Sequence, residues 1–421
     1  MPESQDVPRE EGLDHSVSLM REGYMYILNR RKSFQSNVFE TRLLGQKAIC
    51  MGGKNAAELF YDQEKFKRKG AAPKRVQETL FGKQGVQTLD DNQHLNRKEM
   101  FMSLMSEENT KKFIDIHRTD WKKAVEEWTG KDEIVFYEEA KKILCQTACK
   151  WAGVPLPDEE LEKRTNELAS LFETPALIGP EHWKGRHNRN ILEAWMKELV
   201  EKVREGEWSP DPQTALYTMS WHKDVEGERL DPHTAAVEIL NILRPITAIA
   251  IYMCFTVLAL EQFPEEKGKL ASEPTGQYLQ WFVQEIRRFY PFFPFVTARV
   301  KKDFTWSNYD FEKDTLTLLD VYGTNHDPEL WDNPELFHPE RFKVEENSQK
   351  YQLIPQGGGS YVEGHRCPGE GITIEAMKVC ADFLLNKITY QMPEQDLSYS
   401  LVSMPSKPKS GCKFTQIHWK Q

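Results

Sequence analysis

One segment of this chain has to be buried on every side. From Asp231 to Gln262 it reads Asp-Pro-His-Thr-Ala-Ala-Val-Glu-Ile-Leu-Asn-Ile-Leu-Arg-Pro-Ile-Thr-Ala-Ile-Ala-Ile-Tyr-Met-Cys-Phe-Thr-Val-Leu-Ala-Leu-Glu-Gln. Wound as a helix, it is apolar around nearly its whole circumference. Asp231 is placed to cap the first turn, and Pro232 suits the first helical position, where an N–H would lack a partner anyway. The pattern runs to Gln262, just before Pro264. Roughly 30 residues at about 1.5 Å each span about 45 Å, enough to cross a domain. Pro245 falls in the middle and predicts a kink or an opening. The uncharged stretch Ile246 to Leu260 has 15 residues and stops at Glu261. A bilayer needs about 20, so this is a core helix and no membrane span is expected.

The rest of the chain supplies helices to surround it. Helical periodicity marks Glu133 to Trp151, Glu193 to Arg204, Gly276 to Tyr290 (ending at Pro291) and a segment after Cys367 that includes Thr373 to Leu385. Short β signals lie at Lys47 to Met51 and Thr315 to Val321. No linker, repeat or low-complexity tract divides the sequence. The expectation is one domain over residues 1–421, mainly α with small β-sheets. With 65 acids against 55 Lys and Arg the formal charge is −10, which argues against nucleic acid or an anionic membrane as partner. Basic runs such as Arg30-Arg31-Lys32 and Lys67-Arg68-Lys69 read as solvated faces. Seven cysteines form no paired framework, which suits a reducing compartment. Cys145 and Cys149, four apart on a helix, read as packing; the alternative, half of a zinc site, has no second ligand pair to complete it. The first residues, Met1 to Glu11, are charged without an apolar stretch, unlike a signal peptide, so a cytoplasmic protein is expected.

Around the fifth cysteine the chain reads Ile354-Pro-Gln-Gly-Gly-Gly-Ser-Tyr-Val-Glu-Gly-His-Arg-Cys-Pro-Gly-Glu-Gly-Ile-Thr. The glycines permit tight turns and close approach by a flat ligand. Cys367 lies where loop gives way to helix, so free N–H groups and the positive dipole end favour its thiolate. Upstream stand Glu285-Ile-Arg-Arg288, with Glu285 and Arg288 on one helical face, and Phe337-His-Pro-Glu-Arg341-Phe. In this order and spacing the set resembles the cytochrome P450 superfamily over nearly the whole chain.

The resemblance implies that family's fold, with haem b between the long central helix and the helix that follows the cysteine loop. It implies Cys367 as the iron ligand and Glu285, Arg288 and Arg341 as a buried structural triad. Bases expected on the haem propionates are His365 and Arg366 in the loop, and His94 and Lys98 at i and i+4 after the N-cap Asp90 or Asp91. Arg97 stands beside them, so which base reaches the haem is left open, with an exposed basic face as the alternative.

One stretch departs from the superfamily's usual pattern. Its monooxygenases carry an acid–alcohol pair in the central helix, and here Arg244-Pro245 stands instead. This substitution, the long Pro355 to Cys367 loop and Gln356 after the proline resemble the bacterial fatty-acid peroxygenases. That likeness implies hydrogen peroxide as co-substrate, medium- to long-chain fatty acids as substrates and no obligatory reductase. Arg244 then binds the substrate carboxylate, which serves as general acid–base; an ion pair with a protein carboxylate is the alternative. Gln87 takes the position facing the iron, where an amide goes with 2- and 3-hydroxylation and with little decarboxylation to terminal alkenes. Phe81, Phe292, Phe293, Phe295 and Val296 are candidates to line the acyl channel or, equally, ordinary packing. Two rivals stand beside this reading, a conventional monooxygenase fed by external redox partners and a non-enzymatic haem sensor or carrier.

Overall fold

In a computed structural model, which describes residues 7–273, 276–343 and 349–420, the helix expected from Asp231 forms with the cap anticipated. The start of the charged N-terminal stretch, residues 1–6, lies outside the described residues. The Asp231 carboxylate accepts from the N–H groups of His233 (2.9 Å) and Thr234 (3.3 Å). The helix comes in two parts, Pro232–Ala248 and Ala250–Gln262. Its break falls at Ile249, one turn beyond Pro245. Pro245 has no N–H for the Asn241 carbonyl and crowds the preceding turn. The helix nevertheless continues through Pro245 and is interrupted only at Ile249, whose N–H reaches the Ile246 carbonyl three residues back, at 3.1 Å. Among the described residues this is the one helix long and apolar enough to cross a membrane, and 94% of its most apolar window is buried inside the protein.

Its first half packs against helices Phe136–Ala152, Leu161–Glu173 and Pro180–Glu205. Its second half packs against Phe136–Ala152, Gln277–Phe289 and Glu370–Asp382. Of the last two, Gln277–Phe289 carries the Glu285 motif and Glu370–Asp382 follows the cysteine loop, so the central helix backs both. Burying each of its Leu, Ile, Val and Phe side chains contributes about 1.5–3 kcal/mol.

The sheets are small, as expected. A five-stranded sheet runs in the order Val38–Leu43, Gln46–Met51, Leu316–Asp320, Phe295–Val300, Phe66–Lys67. A three-stranded sheet joins Glu133–Val135, Lys413–Trp419 and Ile388–Gln391.

Three expectations need correction. Glu133–Val135 is a strand, not the start of a helix, because it pairs antiparallel with Lys413–Thr415. The helix begins at Phe136, and its first free donors, Phe136 and Tyr137 N–H, are met by the carbonyls of Cys412 and Gly411. The helix expected over Glu193–Arg204 is longer, running from Pro180 to a left-handed Gly206 that closes its C-terminus. The basic runs are not wholly solvated. Arg31 is buried between Asp320 (3.2 Å) and Asp327 (2.6 Å). Arg68 is buried with its guanidinium 4.3 Å from the centre of the Phe60 ring. Cys145 and Cys149 are both buried in the core, and no cluster of three or more metal-ligating side chains occurs among the described residues.

Candidate active site

Cys367 sits three residues before the helix that begins at Glu370. Its own N–H donates to the Gln356 carbonyl at 3.0 Å, which folds the long loop back on itself. The reversal passes through Gly357 at φ +97°, where a Cβ would also stand 3.2 Å from the Arg366 backbone. The Gly369 N–H points at the sulfur and, with Lys98 and Arg287, favours its thiolate; burial is larger and, together with Glu370, pushes the thiol up. The dipole argument from sequence therefore gives the right sign but is outweighed. A metal cation held by the sulfur would supply that compensation, since coordination deprotonates a thiol outright. Gln356 lies against the sulfur, its Nε2 3.9 Å from Sγ and 3.0 Å from Thr373 Oγ1, while its Oε1 accepts from Arg287 at 3.1 Å. Arg287 is fully buried and paired with Glu370, which also accepts from Arg366 at 2.6 Å.

Five bases gather beside this loop. Helix Asp91–Ser103 brings His94 and Lys98, the loop brings His365 and Arg366, and Arg68 joins them. The rings of His94 and His365 stack at 3.8 Å, and Lys98 donates to the Arg366 carbonyl. Burial, reinforced by Lys98 and Arg68, holds His94 down at about 4. Burial also holds Lys98 at about 8 and Arg68 at about 10, and pushes His365 well below the usual imidazole range. The Nδ1 atom of His94 is buried and finds no partner among the described residues. Crowded, desolvated cations with an unmet polar atom fit a dianionic ligand edge such as the two haem propionates. Asp90 leaves its cap position to accept from the Arg68 and Lys69 N–H groups at 2.6 and 2.9 Å, which anchors the segment carrying Arg68. Arg97 turns the other way and pairs with Glu238 on the central helix at 2.6 Å. Arg68 was missed in the sequence, where a Lys-Arg-Lys run carries no sign of burial.

The central helix faces this cradle with Glu238, Asn241 and Arg244. Arg244 is only 6% exposed, and its Nη2 donates to Asn241 Oδ1 at 3.3 Å. Among the described residues no carboxylate pairs with it, so the ion-pair alternative finds no partner. Its Nε is buried without an acceptor. Burial and the nearby Arg189 hold the guanidinium down at about 9, with the Cys367 sulfur acting in the opposite sense. The nearest hydroxyl along the helix, Thr247, donates to the Leu243 carbonyl at 2.9 Å and is spent on backbone. Gln87 lies in the short turn Val86–Thr88 ahead of helix Asp91–Ser103, with Oε1 buried and unpartnered. Glu238 and Asn241 were not singled out from sequence, although polar residues every third position in an apolar helix were signal enough.

The aromatic candidates divide. Phe81 lies 6.0 Å beneath the Arg244 guanidinium, and Phe292 stacks on Tyr252 of the central helix at 4.3 Å. Phe293 is 38% exposed, Phe295 packs on the cluster of Tyr26 and Phe39, and Val296 packs on that of Val38 and Ile49. The structure thus brings Phe81 to Arg244 and Phe292 to the central helix, while Phe295 and Val296 lie on a strand of the five-stranded sheet. The triad forms as expected. Fully buried Glu285 accepts from Arg288 at 2.7 and 2.8 Å and from Arg341 at 3.2 Å.

A family model described as cytochrome P450 matches residues 275–411. The solved structure of cytochrome P450EX alpha with myristic acid is 49% identical, covers 99% of this chain and 100% of its own, and superposes with a TM-score of 0.95. The chain is a cytochrome P450. A variant of cytochrome P450 OleT in complex with arachidonic acid is 34% identical with a TM-score of 0.96, covering 99% of each chain. A variant of cytochrome P450SP alpha is 43% identical with a TM-score of 0.94, covering 97% of this chain and 100% of its own. Among curated proteins, cytochrome P450 26A1 of Danio rerio is 23% identical over 91% of this chain and 84% of its own length. Within the cytochromes P450, the chain falls in the fatty-acid peroxygenase branch expected from Arg244-Pro245.

Proposed function

We propose that this cytochrome P450 oxidises medium- to long-chain fatty acids with hydrogen peroxide, mainly to 2- and 3-hydroxy acids. On this reading it works in the cytoplasm without a reductase. The observation that carries the proposal is Arg244, a buried cation with no carboxylate to pair with among the described residues. Desolvating a guanidinium is costly unless an anion meets it, and a fatty-acid carboxylate is a planar anion of matching geometry.

Haem b, held through Cys367 with its propionates among His94, Lys98, His365, Arg366 and Arg68, would supply the iron centre at which the peroxide O–O bond is cleaved. The protein residues do the rest. Arg244 fixes the substrate carboxylate in a site from which water is excluded. A carboxylate oxygen so fixed takes a proton from one peroxide oxygen and returns it to the other, the task of the acid–alcohol pair in monooxygenases. Thr247, the nearest hydroxyl along the helix, donates to the Leu243 carbonyl instead. With the carboxylate anchored, only the first carbons of the chain lie within reach, which restricts oxidation to C2 and C3. Gln87 offers an amide, which does not titrate, so hydroxylation prevails and terminal alkenes are minor products.

Arg244→Ala tests this directly. It should keep its haem, seen as an unchanged thiolate-type Soret band with carbon monoxide, and lose peroxide-driven fatty-acid oxidation by two orders of magnitude or more, about 3 kcal/mol. Full activity in that variant, or activity only with NAD(P)H and a reductase, would favour the monooxygenase rival. A spectrum indifferent to fatty acids of any length would favour the sensor.

A further inference from the structure

Glu238, Asn241 and Arg244 stand three residues apart on one stripe of an otherwise apolar helix, so each can touch the next. Glu238 is fully buried; its Oε1 accepts from Arg97 at 2.6 Å and its Oε2 accepts from Asn241 Nδ2 at 2.9 Å. That second contact fixes the Asn241 amide. With Nδ2 committed to a carboxylate, Oδ1 is turned to the next step of the helix, where it accepts from Arg244 Nη2 at 3.3 Å. A flipped amide would set oxygen against carboxylate and NH2 against guanidinium, so both neighbours enforce the same orientation.

The same amide is met by the loop that carries Gln87. Gly85 has an ordinary extended backbone, φ −69° and ψ 155°, so its conformation does not call for glycine. Space does. A Cβ there would stand 2.8 Å from the Phe81 carbonyl oxygen, 2.9 Å from Asn241 Nδ2 and 3.1 Å from Gln87 Oε1. The bare Cα lets the Gln87 turn and the Asn241 step of the central helix close on each other.

We infer that Asn241 is the positioning residue of the carboxylate clamp, aiming the Arg244 guanidinium and so setting which substrate carbon is oxidised, with Gly85 keeping the Gln87 turn against it. The inference rests on the reading of Arg244 as the partner of the fatty-acid carboxylate. An arginine side chain has several rotatable bonds, and one bound N–H removes most of its freedom to swing. The remaining N–H groups, including the unpartnered Nε, are then presented in a fixed direction. A displacement of about 1 Å at a bound substrate is enough to change the reaction strongly, and it is on the order of the spacing that separates C2 from C3.

The experiment compares Asn241→Leu, Gly85→Ala and Arg244→Ala with the parent holoenzyme. Measured quantities are haem content, the dissociation constant of tetradecanoic acid from the haem spectrum, and the ratio of 2- to 3-hydroxy product formed with peroxide. Asn241→Leu should weaken binding about tenfold or more, the effect of removing one hydrogen bond to a charged group, and shift the product ratio. Gly85→Ala keeps every polar group and should shift the ratio with a smaller change in binding. Both variants haem-loaded with the parent's binding and ratio, beside an inactive Arg244→Ala, would overturn the inference alone. An Arg244→Ala variant that binds and oxidises the acid normally would overturn the carboxylate reading beneath it. If Asn241→Leu fails to hold haem, the ratio in Gly85→Ala decides.

Discussion

Two buried cations carry most of the proposal at the scale of single residues. Arg244 keeps a guanidinium inside a nonpolar wall, and Lys98 keeps an ammonium beside the cysteine loop. Burial lowers Lys98 to about 8 from 10.5. Below about pH 8 the folded chain without haem therefore carries an unfavourable charge, and that penalty disappears as pH rises from 8 towards 10.5. Lys98→Met should accordingly stabilise the haem-free chain at neutral pH by on the order of 3 kcal/mol, read from urea midpoints. The same change should speed haem loss from the loaded protein, measured by transfer to apomyoglobin. Stability and haem retention falling together would mean that Lys98 serves packing rather than an anion. On the proposed reading Gln87 governs selectivity instead. Gln87→His puts a group that titrates near pH 6.5 where the amide stands, so the terminal-alkene share from one saturated acid should rise, most at acidic pH. Gas chromatography showing the same or a smaller alkene share would remove Gln87 as selector.

The central helix carries one residue that interrupts its hydrogen-bond ladder beside Arg244. Pro245 leaves the Asn241 carbonyl without its helical donor, and the helix breaks at Ile249, one turn beyond Pro245. Pro245→Ala should tighten the helix and raise the melting temperature, since alanine is favoured by up to about 3 kcal/mol in a helix interior. It should also lower hydroxylation several-fold by moving the Arg244 turn. A higher melting temperature at unchanged activity would show that the break has no part in placing the guanidinium. Much of this helix was legible in sequence, because its caps and its proline are local signals. The strand Glu133–Val135 was not legible, since its partner Lys413–Thr415 lies at the far end of the chain. Arg31 and Arg68 were misread for the same reason. Charge runs look solvated until a distant Asp320 or Phe60 folds over them. Cys367, Glu285, Arg288 and Arg341 were legible because order and spacing fix them together. Asn241 sat in plain view at the right spacing, but its role needs the Glu238 and Arg244 contacts on either side of it.

Across the whole molecule, one wall joins the chemistry to the binding. The central helix touches the helix after the cysteine loop, the Glu285 helix and the helices that enclose its first half. On the proposed reading, Arg244 on this helix anchors the substrate, and Cys367, in the loop just ahead of the helix Glu370–Asp382 that packs on it, holds the iron. On the proposed reading the substrate brings its own acid–base group, so the carboxylate should be indispensable to turnover and not merely to binding. Purified holoenzyme given hydrogen peroxide, with no NAD(P)H or reductase, can be offered tetradecanoic acid and its methyl ester at equal, saturating concentration. The acid should yield 2- and 3-hydroxy products while the ester, whose chain is the same but whose oxygens can neither pair with Arg244 nor carry the proton, yields essentially none. Equal oxidation of the ester at C2 and C3 would contradict the proposal that the substrate carboxylate held by Arg244 activates the peroxide.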